Sequence, residues 1–273
     1  MSKFYIQQGE LQKSDALNIQ GFEAFTNTLY VYEQVRLYNT VPLFLEEHMQ
    51  RIITTLDICK IPIPQQFHKD TIQRYITRLL NVNKVYKGGV CTILITPSIN
   101  KSNWECLLFI EPIEVLEFVF NSGGIRIGIF SDCIQSMPYV PSYCSFHSWH
   151  EFVARQISTM HELHAVTLCN NQSEIIGSSV GEFLCVFDNQ VTVISNYVLP
   201  ITRKILSIAG RLGFSISIQQ SITVKQFLQS DEICIVHSIT GMQWVSKCGD
   251  IAFGCLHTKK IWQHVVKDML LWK

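Results

Sequence analysis

Lysine is missing from a long central part of this chain: none occurs between Lys101 and Lys204. Charge is sparse throughout, with Asp, Glu, Lys and Arg making up 16% of the 273 residues and a formal net charge of zero. No basic run occurs, and the isolated pair Lys259 and Lys260 reads as a solvated helix end. The electrostatic surface that a nucleic acid or an anionic membrane requires is therefore not expected. No apolar run reaches the ~18 residues of a spanning helix, and the first residues lack the apolar core of a signal peptide, which points to a cytoplasmic protein. Repeats and low-complexity segments are also lacking. The ten cysteines include no C-x-x-C pair, and several fall inside apolar runs such as VCTILIT, FLCVF and EICIV. They read as small buried hydrophobes in a reducing compartment. His147 and His150 are three apart but have no accompanying metal motif.

What is present is apolar patterning. Hydrophobic residues make up 47% of the chain, enough for a well-cored protein of two modest domains. Residues 29–38 alternate as a strand, and Asn39 with Pro42 marks a turn. A helix is predicted from Glu46, with Leu45, Met49, Ile52, Ile53 and Leu56 on one face and Glu46 and Glu47 at the positive end of its dipole. A second helix spans about 70–80, followed by strands at 90–96 and 104–110. Asn121, Ser122, Gly123 and Gly124 break the periodicity and divide the chain into domains 1–120 and 121–273. Beyond them lie a strand at 125–130 and a helix from about Trp149 with Phe152, Val153, Ile157 and Met160 on one face. Strands at 166–169, 183–187 and 191–194, a helix at 201–212, strands at 215–218 and 232–237, and a terminal helix complete the order. Helix and strand do not alternate regularly, so the fold class is α+β.

Three segments carry a resemblance. YEQVRLYNTVPLFLEEHMQRI (32–52) places His48 and Arg51 three apart on one helix face. LPITRKILSIAGRLGF (199–214) opens a helix at Pro200, where unpaired amides can hold an anion. DEICIVHSITGMQWVSKCGDIAFG (231–254) pairs two strands around a turn containing His237 and Ser238. Together these resemble the fold-type IV pyridoxal phosphate (PLP) enzymes, which include the D-amino-acid and branched-chain aminotransferases and aminodeoxychorismate lyase. The third segment looks most like the lyase. The resemblance spans about residues 20–255. It implies two α+β domains with PLP in a cleft between them, a homodimer, and an amino acid or aminodeoxychorismate-like ligand. It assigns the cofactor phosphate to Arg51, Ile201, Thr202 and Ser238, and sets Tyr32 at the cleft border. Read from the residues alone, Arg51 is equally a surface ridge residue, Tyr32 a packing residue and His237 a satisfied turn histidine.

The family's glycine before the Ile-Thr pair is absent, with Pro200 in its place or one residue deleted, and two further segments depart from the family pattern at key positions. In YVPSYCSFHSWHEFVARQIS (139–158) the catalytic lysine should lie ten residues before Ala154, and Cys144 stands there. Cysteine cannot form a Schiff base. In SEIIGSSVGEFLCVF (173–187) the family has Thr-Glu-Gly-x-x-x-Asn-hydrophobic-Phe, whose glutamate holds the pyridine nitrogen. Ile176 takes the place of that glutamate and Gly181 that of the asparagine. Glu174 lies two residues back, either as a substitute carboxylate or as a loop residue. Lys204 and Lys247 match no reactive position. Cys144 with His147 is open as a nucleophile–base pair, as is Cys144 as an inert buried thiol. The resemblance thus implies a lyase-like or aminotransferase-like protein with impaired catalysis. The alternative is a non-catalytic dimer that binds a small anion or a partner in the inherited cleft.

Overall fold

The computed structural model describes residues 3–14, 30–98, 103–115, 118, 120–130 and 145–270. The chain divides into two compact units, one of Met1–Glu117 with Tyr139–Ser148, the other of Phe118–Pro138 with Trp149–Lys273.

The first unit is a six-stranded sheet built from β1 (Phe4–Gln7), β2 (Glu10–Lys13), β3 (Val31–Tyr38), β4 (Val41–Pro42), β5 (Gly88–Pro97) and β6 (Trp104–Pro112), in the order β2-β1-β6-β5-β3-β4. Every pairing is antiparallel. Two helices pack on it: α1 (Leu45–Ile58) against β3, and α2 (Lys69–Asn83) against β1 and β6. Both follow the predicted apolar periodicity. Leu45, Met49, Ile52 and Leu56 of α1 and Ile72, Ile76, Leu79 and Leu80 of α2 are buried. The β1–β2 hairpin carries no strong alternating signal and was not predicted. The residue before α1, Phe44, has a left-handed backbone (φ 55, ψ 33), rare for an aromatic residue.

The second unit contains β7 (Ile125–Gly128), most of α3 (Ser145–Met160), β8 (Ala165–Cys169), β9 (Ile175–Ser178), β10 (Glu182–Phe187), β11 (Gln190–Ile194), α4 (Pro200–Arg211) and β12 (Ser215–Gln219). It continues with α5 (Val224–Leu228), β13 (Glu232–His237), β14 (Gly241–Cys248), β15 (Ile251–Ala252) and α6 (Leu256–Leu270). The strand order is β12-β11-β10-β13-β14-β7-β8-β9, with β15 attached to β14. β9 also touches β10 and β11, so this sheet curls back on itself. Its inner face holds Phe183, Cys185, Ile233, Ile235 and Val245, and the rings of Phe183 and Phe227 meet edge-on, 4.9 Å between centroids. The outer face of β13 is covered by α4 and α6. Burial on both faces explains why β10 and β13 read as continuous apolar runs. The architecture is mixed α+β, as predicted.

One predicted face is corrected. In α3, Phe152 and Met160 are exposed, whereas Ala154 and Ser158 are buried. The face turned inward there carries small residues, while these two larger side chains turn outward. No described helix is long and apolar enough to cross a membrane.

Candidate cofactor site

Arg51 belongs to the first unit. It is buried, and it faces β3 because the helical period brings positions 48, 51, 52 and 55 of α1 onto the packed side. On β3 the alternation that buries Val31, Val35 and Leu37 also buries Glu33. Glu33 joins both polar residues of the helix: its Oε1 lies 2.7 Å from His48 Nδ1 and its Oε2 lies 3.5 Å from Arg51 Nε. The second contact is an ion pair longer than a full-strength hydrogen bond. Arg51 is therefore not a surface ridge residue. Tyr32, on the alternate side of β3, is half-buried with its ring 6.2 Å from that of Tyr30.

The other described site residues lie in the second unit. Ile201 and Thr202 open α4 and are 1% and 0% exposed. Pro200 supplies no N–H at this helix start, and the first amide in the helical ladder is that of Arg203, bonded to the Leu199 carbonyl. No side chain of the N-cap residue itself caps the helix. A carboxylate from the sheet does so instead. Glu182 Oε1 accepts from the Leu199 amide (2.9 Å) and from Ser195 Oγ (2.6 Å), while its Oε2 accepts from Thr202 Oγ1 (2.5 Å). The Leu199 amide can only donate, so Oε1 is an acceptor, and the group lies where the helix dipole favours negative charge. Sequence reasoning missed this residue. The available signal was a glutamate at the hydrophobic position of the family motif, opening an apolar strand.

Ser238 follows β13 in the turn to β14. It is buried, and its hydroxyl has no hydrogen-bond partner among the described residues. An orphaned buried hydroxyl is a donor awaiting an acceptor. His237 serves the turn, its Nδ1 accepting from the Ile239 amide at 3.3 Å. The preceding residues Asp231 and Glu232 are structural. Asp231 accepts from the Asp188 amide at 2.7 Å. Glu232 caps α6 through the amides of His257 and Thr258, each at 2.8 Å.

At the position expected to hold a pyridine nitrogen, Ile176 is a half-buried residue of β9. The carboxylate of Glu174, weighed as a substitute for the missing glutamate, clamps a turn. It accepts from Asn170 Nδ2 (2.9 Å) and Ser221 Oγ (2.7 Å), and these bonds hold it below the ordinary glutamate range. Gly181 cannot carry the family's asparagine without a backbone shift, since a Cβ there would sit 2.4 Å from the Val236 carbonyl oxygen. Lys204 and Lys247 each lie beside an aspartate. Lys204 Nζ bonds Asp268 at 3.1 Å across α4 and α6, and Lys247 is a half-exposed residue 4.0 Å from Asp250. Cys144 lies outside the described residues, as do the side chains of His147 and His150.

The residues present do not fit PLP as the family pattern would hold it. The Thr202 hydroxyl bonds Glu182. At the ring-nitrogen position, isoleucine offers no carboxylate.

Comparison with known proteins places the chain. No curated protein sequence matches it. Among solved structures, the T.th. branched-chain amino acid aminotransferase complexed with N-(5'-phosphopyridoxyl)-L-glutamate is similar, with a TM-score of 0.83 at 14% identity over 97% of this chain and 95% of that one. The Escherichia coli branched-chain amino acid aminotransferase gives 0.81 at 15% identity, covering 96% and 92%. That of Thermoproteus uzoniensis with norvaline gives 0.81 at 15%, covering 98% and 96%. These likenesses establish the fold. The family described as amino-transferase class IV, whose cofactor is PLP, matches residues 30–248, and this chain belongs to that family.

Proposed function

We propose that this class IV aminotransferase-like protein is impaired in lysine-dependent PLP catalysis. The single observation that carries the reading is the loss of two complementary groups. The residue at the Schiff-base position is Cys144, and the residue at the pyridine-nitrogen position is Ile176. Without the lysine nothing carries the cofactor covalently or moves the substrate proton. Without the carboxylate the ring nitrogen is not held protonated. The engagement of Glu174 by Asn170 and Ser221 supports the reading, because it was the carboxylate weighed as a substitute. The ancestral activity is lyase-like by the 231–254 segment.

Purified protein incubated with PLP, reduced with borohydride and mapped by mass spectrometry tests this. We expect no single dominant lysine adduct and no turnover of 4-amino-4-deoxychorismate or of branched-chain amino acids. One stoichiometric lysine adduct accompanied by turnover would sink it. The second reading is a non-catalytic homodimer that binds a small anion. The buried Ser238 hydroxyl, which has no partner among the described residues, favours it.

A further inference from the structure

We infer that Glu182 is a built-in anion at the start of α4 and makes this site select against phosphate-bearing ligands. The inference rests on the proposed function only in taking the α4 start as the ligand-facing end.

The geometry is specific. Glu182 stands first in β10, and its register partner on β13 is Val236. Its neighbour Phe183 faces the interior of the curled sheet, so alternation sends Glu182 to the opposite face, where it meets the α4 start. There it gathers the hydroxyl of Ser195, the amide of Leu199 and the hydroxyl of Thr202. It is only 9% exposed. Ser195 is held in turn, its Oγ accepting from the Tyr197 amide at 3.0 Å. The whole segment 195–202 is thus organised around one carboxylate.

Three consequences bear on a phosphate. A hydroxyl has one proton to give, and that of Thr202 is given to Glu182. The positive end of the helix dipole already has a negative group beside it. A phosphate dianion brought to the same helix turn would meet a buried like charge, and little solvent is present to screen it. A ligand whose corresponding end is neutral meets none of these penalties. The chemical class indicated is therefore an unphosphorylated small molecule.

Pyridoxine and pyridoxine 5'-phosphate are suitable probes, since they differ only in the phosphate and have no aldehyde to react with surface lysines. Their binding is measured by calorimetry on the full chain, alongside inorganic phosphate. For the wild-type protein we expect the phosphate ester to bind more weakly than pyridoxine, by about threefold or more. Glu182→Gln should raise affinity for the ester and for inorganic phosphate by at least about tenfold while leaving pyridoxine unchanged. Glu182→Leu, which restores an apolar residue to the motif, should act in the same direction. Wild-type binding of the ester as tight as that of pyridoxine, or tighter, overturns the inference, and so does a folded Glu182 variant without a gain. If wild type binds neither probe, the gain or its absence in the variants decides. If neither variant folds, the wild-type comparison decides alone. Borohydride labelling tests the loss of catalysis separately, so either reading can fail without the other.

Discussion

Glu33 and Arg51 form an ion pair inside the first unit, with Oε2 and Nε 3.5 Å apart and side chains 5% and 10% exposed. The other oxygen of Glu33 lies 2.7 Å from His48 Nδ1, so one carboxylate serves two polar groups of α1. Removing one member of a buried pair leaves the other uncompensated. Arg51→Met should cost about 3–5 kcal/mol in urea unfolding. The double variant Glu33→Gln with Arg51→Met should cost less than the sum, with a coupling of about 1–3 kcal/mol. Strict additivity would show that the two residues do not interact.

Glu232 satisfies two amides at the start of α6. Glutamine has one acceptor oxygen, so Glu232→Gln leaves one of the two amides facing an NH2 group. The expected loss is about 1–3 kcal/mol. Hydrogen exchange should quicken at His257 and Thr258, whereas α4 should be unaffected. Uniform quickening across the unit would contradict a local cap.

Gly241 and Gly249 separate two costs of adding a side chain. Both have positive φ, +77 and +58. A Cβ on Gly241 would approach the Trp262 ring to 2.6 Å, while one on Gly249 would meet nothing within 4 Å. Gly249→Ala should cost about 1 kcal/mol for backbone strain alone. Gly241→Ala should cost about 2–4 kcal/mol and shift the tryptophan fluorescence, because overpacking adds to strain. Equal losses at the two sites would refute the steric contribution.

Two carboxylates should contribute to acid sensitivity. Bonds from Asn170 and Ser221 hold Glu174 below its ordinary 4.5, and bonds from Arg211 and Lys204 hold Asp268 below its ordinary 3.8. A depressed folded value means the stabilisation is fully present above the ordinary value and is lost as pH falls through the folded one. Wild-type melting temperature should therefore decline below about pH 4.5, and Glu174→Gln with Asp268→Asn should flatten that decline. An unchanged slope in the double variant would show that other groups dominate.

The described buried thiols should resist modification. Burial pushes Cys106 and Cys185 up to about 12 and Cys248 up to about 11, and raises Cys91 and Cys234 as well. Thiolate is the reactive form. In the native protein at pH 8, peptide mapping after mild alkylation should find these five unlabelled, and labelling should follow denaturation. Rapid native labelling of Cys185 or Cys234 would contradict the packing of β10 against β13.

Much of the fold was legible because the elements carry strong periods. The face of α1 shows in Leu45, Met49, Ile52 and Leu56, and β10 and β13 show as apolar runs. The β1–β2 hairpin and β9 were missed because they are four-residue strands whose stability comes from pairing. The face of α3 was misjudged because large apolar residues were assumed to be the buried ones, whereas Ala154 and Ser158 are buried and Phe152 and Met160 are exposed. At the site, positions 51, 201, 202 and 238 were named from motif spacing, but the partners of their side chains were not.

The sequence by itself determined the α+β class, the family, and the residues standing at the two altered positions, Cys144 and Ile176. Those features are local in the chain: a spacing, a period, a residue type. Only the tertiary structure decided that Arg51 is buried against Glu33 and that Glu182 gathers Leu199 and Thr202, 17 and 20 residues further along. Hydrogen-bond partners depend on which strand lies beside which helix, and on which face alternation presents. A glutamate in an apolar strand has many possible acceptor roles until sheet order brings one helix start against it.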